Sequence, residues 1–116
     1  MSARLITADE RARLLIAGQA RAAGRDIDPV PVVRLFTPDA HAIWLLAALD
    51  PADGDTAWGL IDLGIGITML GTVKLSDLAG IAGPWRWPVL RDRYFKPARS
   101  LFEYAELAEW DGSIPD

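Results

Sequence analysis

Cysteine is absent, which removes disulfide staples, thiolate metal ligands and a cysteine nucleophile together. A chain without thiols fits a reducing cytoplasm. Histidine occurs once, at position 41, so a zinc centre or a serine–histidine system would rest on that side chain alone. His41 is expected to be an exposed turn residue and not a catalytic one. No run reaches the roughly 18 consecutive apolar residues of a membrane span, and MSARLITADERARLL lacks the apolar core of a secretory signal. The expected setting is the cytoplasm, with no membrane contact. Low-complexity tracts and internal repeats are also missing.

What is present is an ordinary globular composition: 116 residues, 51% hydrophobic and 24% charged, enough for a single domain (1–116) and too little for two. The net charge of -4 disfavours a broad nucleic-acid surface, whose affinity comes from neutralising phosphates. Charge alternates in blocks along the chain. Residues 1–25 hold five bases against two acids, residues 26–62 one against seven, residues 63–99 six against two, and residues 100–116 five acids and no base. Such blocks ordinarily pair across a fold or solvate it, and otherwise form a docking face.

Thr7-Ala8-Asp9-Glu10 has the form of a capping box and predicts a helix over residues 8–23, ended by Gly24. Pro29 and Pro31 force extended backbone, so a strand begins only afterwards. Apolar runs separated by turn residues predict strands over 32–37, 43–49, 57–63 and 71–75, with helix the rival over 40–49. Ser76-Asp77 suggests a cap for a short helix over 77–82, and Tyr94 to Lys96 suggests an edge strand. Ser100-Leu101-Phe102-Glu103 is a second capping box, predicting a helix over 101–110. The expected fold class is α+β: an antiparallel meander of four to five strands with the N- and C-terminal helices on one face.

The glycines of LIDLGIGITMLGTVKL invite comparison with phosphate loops, but their spacing is G-x-G-x-x-x-x-G, no Gly-Lys-Ser/Thr follows, and strand comes next. A bend between strands accounts for them better. Asp50, Asp53 and Asp55 around Gly54 mimic a calcium loop at the wrong offsets, with Ile61 where the bidentate glutamate would stand. A solvated hairpin turn is the reading, and no metal or cofactor is implied. WRWPVLRDRYFKPAR, residues 85–99, interleaves aromatics with five bases. Packing aromatics beside a solvated basic rim is the commoner arrangement; as a binding surface its anchors are Trp85, Arg86, Trp87, Arg91, Arg93 and Tyr94.

Leu35-Phe36-Thr37-Pro38-Asp39, Trp44-Leu45-Leu46, Leu49-Asp50-Pro51, Gly59, Asp62-Leu63-Gly64, Leu70-Gly71, Ser76, Leu78, Gly83-Pro84 and Arg91-Asp92 with Phe95 together resemble the domain of unknown function 2958 family. The resemblance covers nearly the whole chain from the first helix on. It implies a small bacterial protein encoded on plasmids and conjugative elements, and carries no activity with it. Where the family pattern places acidic residues, this chain has Ala48, Met69 and Leu90. If these three lie together, a charged pocket of relatives is filled here by apolar packing.

Without a complete catalytic set, the leading expectation is a non-enzymatic accessory protein of a mobile element that binds another protein, of host defence or of conjugation. The alternatives are a small metal-dependent hydrolase or nucleic-acid-processing enzyme using Asp50, Asp62 or Asp92, and single-strand binding through residues 85–99.

Overall fold

The computed structural model describes residues 5–38, 40–81 and 88–115. The first capping box forms as its sequence dictates. Thr7 Oγ1 accepts from the Glu10 amide at 3.1 Å, and Glu10 Oε1 accepts from the Thr7 amide at 2.8 Å, opening helix α1 over Ala8–Ala22. Gly24, at φ 81°, turns the chain away. Ser100 and Glu103 repeat the arrangement at the start of α3, Leu101–Asp111, which closes on left-handed Gly112. The remaining first-turn amides of α3 find long-range acceptors: Leu101 N–H donates to the Pro29 carbonyl and Phe102 N–H to the Asp28 carboxylate.

Between these helices lie β1 (Val33–Phe36), β2 (Ile43–Leu49), β3 (Thr56–Asp62), β4 (Thr68–Lys74), a short α2 (Leu75–Ala79) and β5 (Leu90–Arg91). All pairings are antiparallel and the spatial order is β4-β3-β2-β1-β5, a four-strand meander that β5 rejoins beside β1. The fold class is therefore α+β, as expected.

The contest between helix and strand at residues 40–49 is decided by burial. β2 is the central strand and six of its seven residues are buried, so it reads as a continuous apolar run instead of an alternation. A β-bulge between Leu46 and Ala48 inserts Ala47 into the ladder with β3. Beside it Gly59 comes so close to β2 that a Cβ there would lie 1.9 Å from the Leu45 carbonyl oxygen.

The core is two clusters, one on each face of the sheet. Leu14 of α1 and Leu75 and Leu78 of α2 join Val33, Leu35, Trp44, Leu46, Leu49 and Ala57. Leu101, Tyr104 and Ala108 of α3, with Ile114, join Leu45, Ala47 and Leu60 on the other. The terminal helices thus lie on opposite faces, not on one. The reason is that β2 and β3 are apolar on both sides, and each side needs cover.

Three boundaries differ from expectation. β4 starts at Thr68 rather than Gly71, so part of the glycine segment is strand, pairing in unbroken register from Thr56↔Lys74 to Asp62↔Thr68. α2 starts at Leu75 without a side-chain cap, because the Ser76 amide and hydroxyl are donated to Asp55, at 2.9 and 2.6 Å. The last strand is Leu90–Arg91 and not Tyr94 to Lys96, since Asp92 turns the chain by accepting from the Tyr94 amide at 3.0 Å.

Candidate functional site

The segment singled out for binding divides into three parts. Trp85, Arg86 and Trp87 lie outside the described residues. Arg91, on β5 opposite Leu35, turns inward: its Nη1 lies 3.5 Å from Glu10 Oε2, the carboxylate that also closes the cap of α1. Arg91 therefore ties the outer strand to the first helix. Arg93 and Tyr94 remain at the surface, and Tyr94 is 85% exposed.

The turn carrying Tyr94 is held from several sides. Asp92 N–H donates to the Arg34 carbonyl at 2.9 Å, Asp92 Oδ2 meets Arg34 Nη1 at 3.3 Å, and Asp92 Oδ1 accepts the Tyr94 amide. The Arg34 guanidinium in turn sits 5.7 Å from the centre of the Phe36 ring. Beside this turn a cleft of about 420 Å³ is lined by Arg34, Asp92, Tyr94, Phe95, Lys96 and Tyr104, among others. Two long-range ion pairs, Arg34 with Asp92 and Glu10 with Arg91, thus tie this segment to the first strand and the first helix.

Ala48, Met69 and Leu90 do not share a pocket. Met69 is on β4 and Leu90 on β5, the two outer strands of the sheet, four strand spacings of about 4.8 Å apart. Pairing with Ile61 puts Met69 on the α1 face, whereas pairing with Trp58 and Phe36 puts Ala48 and Leu90 on the α3 face. Ala48 is buried, while Met69 and Leu90 are exposed.

The carboxylates considered for chemistry are each engaged by local backbone. Asp62 is buried and accepts from the Gly64 amide at 2.8 Å and the Ile114 amide at 3.1 Å, fastening the glycine turn and the C-terminal segment to β3. Asp50 caps its own turn through the Ala52 amide. Asp53 accepts the Thr56 hydroxyl at 2.6 Å and the Thr56 and Asp55 amides, and these bonds hold its pKa down at about 2 against an ordinary 3.8. Among the described residues no three His, Asp or Glu side chains converge as a metal site would need. His41 is exposed at φ 59°, in a turn against which Gly64 packs.

Two features had no clear sequence signal or were given another reading. Arg21 stacks 3.9 Å above the Trp58 ring, with Phe102 edge-on at 6.2 Å, beside a cleft of about 520 Å³ that also has Ala48, Asp50 and Thr72 on its wall. These partners are distant in sequence, so no local pattern announces them. The other is apolar exposure around the glycine turn: Leu63, Ile65, Ile67 and Met69 are all more than half exposed. Its signal was visible in the sequence, as apolar residues within a turn where polar ones are usual.

The fold is thus a small α+β domain with an open antiparallel sheet and, at one edge, a turn in which Asp92 links Arg34 to Tyr94. The chain belongs to the family described as protein of unknown function (DUF2958), whose profile matches residues 5–115. Comparison with curated proteins and with solved structures found no match.

Proposed function

We propose that this is a non-enzymatic accessory protein of a bacterial plasmid or conjugative element that acts in the cytoplasm by binding a protein of host defence or conjugation. The observation that carries the reading is Tyr94: a large aromatic, 85% exposed, on a turn held by Asp92 and Arg34. An exposed tyrosine on a fixed turn offers contact area with little ordering left to do on binding, the property of interface anchors. Arg93 stands next to it at the surface. Arg91 and Arg34 are already matched with carboxylates, which leaves this edge less cationic than its sequence suggests and favours a protein over a nucleic acid.

The test is affinity capture from bacterial lysate, with and without nuclease, using the native chain and Tyr94→Ala. The expected result is a nuclease-resistant partner whose capture falls at least about tenfold in the variant, as for an interface hot spot. Thermal unfolding should not change, since the ring supports no core. Capture equal in both proteins, or lost with nuclease, would overturn the reading.

A further inference from the structure

The opposite edge of the sheet is the less protected one. β4 is an outer strand of seven residues, and beyond it no described strand pairs. Soluble proteins guard such edges with charges, prolines or bulges. From Thr68 to Val73 this strand has no charge and no proline, and its ladder with β3 has no register shift. It carries Met69, 56% exposed, and continues from a turn presenting Ile65 and Ile67, 72% and 61% exposed. With Leu63 the exposed apolar side-chain surface is on the order of 400 Å², the size of a monomer's largest patch, and Leu70 adds a further exposed apolar side chain on the other face of the strand.

We propose that β4 pairs with β4 of a second copy, antiparallel about a two-fold axis at Gly71, joining the two sheets into one. Three observations select this occupant. In that register Met69 faces Val73 of the second copy, Leu70 faces Thr72, Thr68 faces Lys74, and no like charges meet. Gly71 has open room, a Cβ there meeting only Ile61 Cδ1 at 3.5 Å, so two strands can approach closely at the axis. The strand direction carries Ile67 and Ile65 of each copy past Lys74 of the other, toward Leu75 and a groove of about 440 Å³ whose apolar wall is Leu5, Ile6, Leu75 and Ala79, with Arg11 and Ser76 also lining it. Such a surface is self-complementary, as two-fold interfaces require. Added to the apolar side chains, a seven-residue backbone ladder brings the buried surface toward the roughly 800 Å² per partner of stable complexes.

Because the chain has no cysteine, Gly71→Cys is a direct probe. Residues facing each other across an antiparallel pair have Cα atoms about 4.5–5.5 Å apart, within disulfide reach. Under mild oxidation the full-length Gly71→Cys variant should form a crosslinked dimer, and Thr68→Cys, about 20 Å from its symmetry mate, should not. Sedimentation of the native protein should show a dimer, and Met69→Lys and Ile67→Lys should each weaken it at least about tenfold while leaving the circular dichroism of the fold intact. A native chain that stays monomeric to near-millimolar concentration, a dimer indifferent to both lysines, or equal crosslinking at both cysteines would refute the proposal. The same Tyr94→Ala variant should dimerise normally, which separates this surface from the one across the sheet.

Discussion

Gly18→Ala tests the docking of α1 most sharply, because two well-defined effects oppose each other there. In the interior of a free helix, replacing glycine by alanine is worth about 1 kcal/mol in favour of folding. Gly18 is buried against β2, and a Cβ at this position would lie 1.7 Å from the Leu49 carbonyl oxygen and 2.6 Å from its carbon. A carbon needs about 3.3 Å from such an oxygen, so the helix must retreat by roughly 1.5 Å. Both colliding atoms are backbone, and no rotamer relieves the clash. Retreat also withdraws Leu14, which is fully buried in the cluster beneath α1 and whose burial is worth about 1.5–3 kcal/mol. Overpacking of this kind costs about 1–3 kcal/mol or more, and here the upper end applies. After subtracting the helical gain, Gly18→Ala should destabilise by at least about 2 kcal/mol, or roughly 10 °C in Tm for a domain of this size. Urea and thermal unfolding followed by circular dichroism measure it, with exposed Ala12→Gly as the reference for helix propensity alone. A Gly18→Ala protein as stable as the native one would show that α1 does not sit on the Leu49 carbonyl, and the packing described above would fail.

The paired glycines of β3 and β4 should behave in opposite ways. Gly59→Ala places a Cβ 1.9 Å from the Leu45 oxygen and should cost about 1–3 kcal/mol, whereas Gly71→Ala meets only an ordinary contact and should be neutral or stabilise by up to about 1 kcal/mol; urea midpoints distinguish them. Asp53 should titrate at about 2 by carboxyl NMR, and Thr56→Ala should move that midpoint up toward 3.8, because the Thr56 hydroxyl is the largest cause of the depression. A folded pKa below the unfolded one means that this group's contribution is complete above about pH 3.8 and disappears as pH falls toward 2. An unshifted native midpoint would contradict the turn geometry.

What the sequence determined by itself was every feature encoded within a few residues. Thr7 with Glu10 and Ser100 with Glu103 place the starts of α1 and α3, because both partners of each capping bond lie in one turn of chain. The aspartate- and glycine-rich breaks after β2 and β3 set the meander for the same reason, and the family resemblance followed from short motifs in order. Only the tertiary structure decided which strands lie outermost, that the helices take opposite faces, and that Arg91 turns to Glu10, 81 residues away, instead of facing a partner. The same holds for Asp62, a surface-type residue by composition that is buried because the Ile114 amide, 52 residues on, needs an acceptor. It separated Ala48, Met69 and Leu90 as well, since apolarity states only that a side chain tolerates burial, and the strand order decides which of them receive it.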